Sequence, residues 1–224
     1  FISMNTKKIK FLIYKFPEMG ILIGVIVSFL IFFVADNSMA DTSTLVRMAT
    51  QGTCIGFAAY GMSYLMITGE IDLSSGAVAG LAATVSGMML DSGYNEIISY
   101  TAALSVAASV GLLNSFMTLV IGIPSFFGTL GTSFAASGLI IWLLKGRWIY
   151  TGDFIPFLDF LFSPSPFLEF PWIFLFYVIL IFFGDLLVRT SKLGTVLKAT
   201  GGNVLSAKIS GINTITVLPI AIAS

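Results

Sequence analysis

Glu70 and Asp72 stand two residues apart in the stretch Gly61–Gly76, GMSYLMITGEIDLSSG, with Thr68 before them and Ser74 after. The apolar run preceding them breaks at Gly69, and a small-residue run resumes after Asp72. Carboxylates set between membrane-length apolar segments must face water, protein or a ligand, because hydrocarbon offers them no partner. An interrupted helix also leaves backbone N–H and C=O groups unpaired, and these bind polar solutes. Together such groups suit a neutral, hydroxyl-rich solute or a gate on its path. Asn114, an amide inside another apolar run, adds to the set, since an unpaired amide in hydrocarbon is costly. Thr129 and Thr132, in a segment with Gly128 and Gly131, complete it. Each residue has a plain structural role as well. Asp72 can cap the following helix by accepting an unpaired N–H, and the threonines can bond to their own helix backbone.

Catalysis finds little support. The 224 residues contain no histidine and one cysteine, Cys54, so the commonest metal ligand and any internal disulfide are absent from this stretch. Cys54 lies in an apolar run and reads as a small buried packing residue. No nucleophile has an evident base, and no GxxxxGK[ST] loop marks a P-loop ATPase. Net charge is zero, without a basic block, which argues against nucleic acid.

The elements that must position these residues are apolar helices. The sequence is 57% hydrophobic and 10% charged, with a mean hydropathy of +0.99. The expected fold class is all-α, a polytopic transmembrane bundle. Apolar stretches of spanning or near-spanning length lie at about 18–35, 48–68, 73–90, 97–121, 126–145 and 168–188. A seventh begins near 214. The connections are Asp36–Arg47, Gly69–Asp72, Asp91–Glu96, Gly122–Ser125, Gly146–Phe167 and Arg189–Asn213. Alternating ten-residue segments, the mark of a β-barrel, are absent.

Basic residues orient the helices. Lys7, Lys8, Lys10 and Lys15 precede the first, and Arg189, Lys192, Lys198 and Lys208 follow the sixth, which accounts for eight of the eleven. The positive-inside rule places residues 1–17 and 189–213 in the cytoplasm, and six crossings give the even parity this needs. Asp36, Asp41, Asp91, Asp153, Asp159 and Glu169 fall on the outside. Trp142, Trp148 and Trp172 lie near the outer boundary, as interfacial aromatics do. A signal peptide with Ser38-Met39-Ala40 as its cleavage site is the alternative for the first helix, but its removal breaks the parity. The ends read as cut: Phe1 opens the sequence, with Met4 a candidate start, and Thr216–Ser224 is too short to cross a bilayer.

Two further segments carry local signals. Pro124 suits the first turn of a helix, where its missing N–H costs nothing, and Gly76 and Gly80 give a spacing for close helix approach. Near the end, Asn203 is a good N-cap and Gly211 a good C′ residue for about two turns of helix. So short a helix needs a docking surface. Leu205, Ile209 and Ile212 form an apolar edge fit for a partner's groove or for lipid headgroups beside the basic residues.

Three stretches, in order and at compatible spacing, resemble the sugar permeases of bacterial ATP-binding-cassette importers, the ribose-permease-like family. The match runs from about residue 20 to the end. Thr68-Gly69 and Ile71-Asp72-Leu73-Ser74 with Gly76 match LTGGIDLSVGS, with Glu70 replacing a glycine. Ile123, Pro124, Phe126 and Thr129–Thr132 match IPPFIVTLGT. Residues 199–212, ATGGNVLSAKISGI, match AIGGNEEAARLSGI, with Val204 and Leu205 where the family carries glutamate.

The resemblance implies a passive permease domain over 18–224, incomplete at its C-terminus, in the bacterial plasma membrane. It implies that the loop containing Gly201, Gly202, Asn203, Leu205, Ala207, Lys208, Ile209, Ser210 and Gly211 meets an ATPase. Thr68, Glu70, Asp72, Ser74, Asn114, Thr129 and Thr132 then line or gate the translocation path. The implied partners are a second permease chain, identical or related, two ATPase subunits or one fused double cassette, and an external solute-binding protein. ATP would bind those partner subunits, with no cofactor on this chain. The competing class is an ion-coupled secondary transporter, for which Asp185 is the lone acid inside a span.

Overall fold

Small and hydroxyl-bearing residues form the interior of this protein, and large apolar ones cover it. In the computed structural model Thr53, Ser74, Ser99, Asn114, Ser115, Ser125 and Thr129 are buried, whereas Ile21, Ile55, Ile97, Leu104, Phe134 and Phe182 are exposed. That inversion suits helices packed through small residues with lipid outside. The structure describes residues 18–149, 155–166 and 169–211, without the side chains of Glu18, Asn37, Val204, Leu205 and Lys208. The basic N-terminal segment, Asp153, Ile212, Asn213 and the run expected from 214 lie outside the described residues.

Among the described residues nine α-helices follow one another: α1 (Glu18–Ala35), α2 (Thr42–Ile67), α3 (Ser75–Asp91), α4 (Glu96–Phe116), α5 (Ser125–Leu144), α6 (Pro156–Phe162), α7 (Trp172–Thr190), α8 (Lys192–Gly202) and α9 (Val204–Ile209). A 3₁₀ turn, Asn37–Ala40, separates α1 from α2, and a π turn, Met117–Ile121, extends α4. The described residues contain no strand, only an isolated bridge between Pro164 and Pro171. The all-α expectation holds. Among the described residues three helical stretches are long and apolar enough to cross a membrane: Glu96–Ile121, Ser125–Leu144 and Trp172–Thr190. The apolar part of α1, Met19–Ala35, is shorter.

Local chemistry sets the helix ends. Asn95 accepts from Ile97 N at 2.8 Å to start α4, and Ser191 accepts from Gly194 N at 3.2 Å to start α8. Asp36 accepts from Ser38 N at 2.9 Å to start the 3₁₀ turn. That backbone bond, helped by the Ser38 hydroxyl, lowers the Asp36 carboxyl below its usual pKa. Pro124 is itself the N-cap of α5, one position earlier than a first-turn proline, and its carbonyl accepts from Phe127 N and Gly128 N.

The chain divides into two compact units, one up to Ala49 and one from Thr50 onward. The first holds α1, the 3₁₀ turn and the first residues of α2. In the second, α3 packs against both α4 and α5, and α7 against α6 and α8. The part of α2 from Thr50 meets α7 through aromatic residues. Phe57 and Tyr177 make an edge contact with centroids 5.2 Å apart. The hydroxyls of Tyr60 and Tyr64 bond to each other beside Gly184, where a methyl group would overlap the Tyr60 hydroxyl.

Three sequence expectations change. The connection 146–167 contains α6, and 189–213 is α8 and α9 rather than a loop with one short helix. The α8 sequence, KLGTVLKATGG, is rich in glycine and lysine and shows no long apolar run. What makes it a helix is burial of Leu197 and Thr200 together with the Ser191 cap. Cys54 is exposed, not buried.

Candidate functional site

The break after α2 begins as a helix C-terminus. Gly69, at φ +83°, donates its N–H to Met66 O at 3.1 Å, and Glu70 N reaches Leu65 O at 3.3 Å. This pair of bonds is the Schellman arrangement, and glycine accommodates the left-handed residue in it at no steric cost. Thr68 is buried and donates its hydroxyl to Leu65 O at 2.7 Å, so it belongs to this cap.

From Glu70 to Ser74 the chain runs along the first turns of α5, where side chains replace a second strand. Ser125 Oγ accepts from Ile71 N at 3.3 Å and donates to Glu70 Oε2. One turn on, Thr129 Oγ1 accepts from Leu73 N at 3.1 Å and donates to Ser125 O at 2.7 Å. Residues four apart on a helix share a face, so α5 holds the break at two points. Thr132, the next turn, bonds Thr129 O within its own helix.

Asp72 starts the third helix differently from the sequence expectation. Its Oδ1 accepts from Ser74 N at 2.6 Å and Ser74 Oγ at 2.7 Å, an Asx turn. Ser74, rather than Asp72, is the N-cap of α3, and its carbonyl accepts from Val78 N at 2.8 Å. Asn114 of α4 donates from Nδ2 to Ser74 Oγ at 2.9 Å. Asn114 and Ser74 are 2% and 1% exposed, so the three residues form a bonded corner inside the bundle. Asn114 Oδ1 is buried and receives no donor.

That corner closes one end of a cleft of about 670 Å³ between α2, α3 and α4. Phe57, Met62 and Leu104 give it apolar walls, Ala79 and Gly111 keep it open, and Asp72 is the one charged lining residue among the described residues. Cys54 faces it as well. A methyl group on Gly80 would stand 3.3 Å from Ile140 Cδ1 of α5, whereas one on Gly76 would meet nothing within 4 Å, so only half of the glycine pair faces a neighbouring helix closely.

The segment after α7 returns to the same break. Leu197 of α8 packs on Leu65, with Tyr64, Ile67 and Val196 around them. A methyl group on Gly201 would overlap Ile67 O and stand 3.1 Å from Thr68 Cα. Beyond Gly202, Asn203 Oδ1 accepts from Ser206 N at 3.0 Å and caps α9, as the sequence predicts. Gly211 has the left-handed φ of +80° expected at C′. Ala207 is buried, whereas Ile209 and Ser210 are exposed.

The structure thus gathers these residues along the break in two bonded groups, Glu70 with Ser125 and Thr129, and Asp72 with Ser74 and Asn114, and places Gly201 against Ile67 and Thr68 just before it. Thr68 and Thr132 stay with their own helices. Ser125 was missed; its sequence signal is its position one turn before Thr129, directly after Pro124.

A family described as branched-chain amino acid transport system / permease component matches residues 44–223. The chain belongs to this family. The chain is 30% identical over 138 residues to the autoinducer 2 import system permease protein LsrC of Photorhabdus luminescens, covering 62% of this chain and 42% of that protein. It is 29% identical over 196 residues to LsrC of Yersinia enterocolitica, covering 86% and 53%. LsrC of Escherichia coli K12 is 27% identical over 132 residues, covering 59% and 39%. The chain spans about half the length, or less, of these curated relatives. No solved structure matches. These relatives are import permeases, and the resemblance read from three motifs holds at the level of the family.

Proposed function

We propose that this chain is the membrane-spanning part of an ATP-driven importer for a monosaccharide or similar small polar solute. Family membership and the import-permease relatives support the transport class; the relatives named for autoinducer 2 make that signal one candidate solute. In this reading α1–α5 and α7 make six crossings of a bacterial plasma membrane, with the N-terminus in the cytoplasm. Residues 189–213 meet the ATPase, supplied as two subunits or one fused double cassette. A second permease chain completes the pathway, and an external binding protein delivers the solute.

The observation that carries the proposal is the contact of Gly201 and Leu197 with the end of α2. ATP-driven closure of the partner would move α9 and α8. That motion reaches Ile67 and Thr68 directly, and through them the Glu70–Ser74 segment. The carboxylates and hydroxyl that would bind or gate the solute lie in that segment. An ion-coupled carrier would depend on Asp185, but its Oδ2 is paired with Arg189 Nε at 2.7 Å on the exposed side of α7.

Ile209→Asp tests the docking. It places a charge on the exposed edge of α9 and is expected to abolish uptake and ATPase co-purification while the permease remains in the membrane. Unchanged uptake would defeat the assignment.

A further inference from the structure

We infer that the Asp72–Ser74–Asn114 corner is a subsite for hydroxyl groups of a neutral polyol, at which Asn114 Oδ1 and Asp72 Oδ2 act as acceptors. The inference rests on the transport reading and adds the chemistry of the site. Asn114 is 2% exposed, and its Nδ2 is bound to Ser74 while its Oδ1 has no donor. A buried carbonyl oxygen left unpaired is costly, and such sites recur where a ligand supplies the missing partner. Asp72 commits Oδ1 to Ser74 twice, and Oδ2 has no hydrogen bond among the described residues. Both residues line the cleft of about 670 Å³, large enough for a small ligand.

The corner offers oxygens that accept. Ser74 Oγ already gives its proton to Asp72, so the two free groups are a carbonyl and a carboxylate. Such a pair recognises O–H donors, which a hydroxyl-rich ring supplies. Apolar Phe57 and Leu104 suit the C–H faces of that ring. With no lysine or arginine on the cleft wall among the described residues, a carboxylate or phosphate ligand would meet Asp72 without a compensating cation. The site therefore favours a neutral polyol over an amino acid or a phosphorylated sugar.

Ser75 lines the same cleft beside the corner. The test uses the full-length permease in lipid nanodiscs, with Ser75→Cys as its single cysteine and Cys54→Ser in the background, labelled by a small maleimide. D-ribose is expected to slow labelling by roughly an order of magnitude at saturation, with L-leucine and ribose 5-phosphate without effect. Asn114→Leu should remove the protection, and Asn114→Asp, which keeps an acceptor oxygen, should retain part of it. Equal protection in Asn114→Leu, protection by leucine instead, or no protection by ribose would overturn the subsite. No ATPase takes part in this assay, so its outcome is separate from that of the docking test.

Discussion

The backbone of Gly201 lies on the carbonyl of Ile67, so close that any side chain at 201 would overlap that oxygen. Two segments more than a hundred residues apart meet there. One carries the expected ATPase contact, and the other ends at the break where Asp72 and Ser74 close the cleft.

Gly201→Ala should push α8 off the end of α2, because the obstructing atoms are backbone and cannot rotate away. Overpacking of this kind costs about 1–3 kcal/mol. The expected result is an importer whose ATPase subunit still co-purifies with the permease but whose solute uptake falls sharply. Wild-type uptake in Gly201→Ala would show that the contact transmits nothing.

Ser125 and Thr129 stand in for a missing strand. Thr129→Val keeps the shape but leaves Leu73 N without its acceptor, a loss on the order of 1 kcal/mol. A lowered unfolding midpoint in detergent is expected, with Thr129→Ser close to wild type because the oxygen is restored. Ser125→Ala should behave like Thr129→Val and also free the Glu70 carboxylate. Equal midpoints for the valine and serine variants would mean that the bond to Leu73 does not stabilise the break.

Tyr60 and Gly184 set the spacing of α2 and α7. Gly184→Ala is expected to destabilise the protein by about 1–3 kcal/mol, since the added methyl and the Tyr60 hydroxyl compete for one place. Adding Tyr60→Phe removes that oxygen and should recover part of the loss, read as a non-additive double-mutant cycle. Strict additivity would argue against a direct clash.

Much of this protein was legible before any coordinates. Apolar length and lysine placement outlined six helical stretches, each recovered within a few residues apart from the earlier starts of α2 and later start of α7. Asn203 and Gly211 were readable because capping is local: one side-chain oxygen or one left-handed residue decides it. The chemistry-bearing set Glu70, Asp72, Ser74, Asn114 and Thr129 could be named for a similar reason, since polar groups are conspicuous in a hydrocarbon background.

What sequence alone left open depends on which surfaces touch. Glycine and lysine hide α8 from any apolar-run reading, and it becomes a helix through Leu197 meeting Leu65. The role of Ser125 and the exchange of N-cap from Asp72 to Ser74 follow from the path of the break across α5, and the exposure of Cys54 from the cleft it faces. Side-chain type and spacing along one chain determined where polar groups interrupt the apolar helices. Only the tertiary structure decided which of those groups are satisfied by each other, because hydrogen bonds between distant helices depend on packing distances that no local pattern encodes.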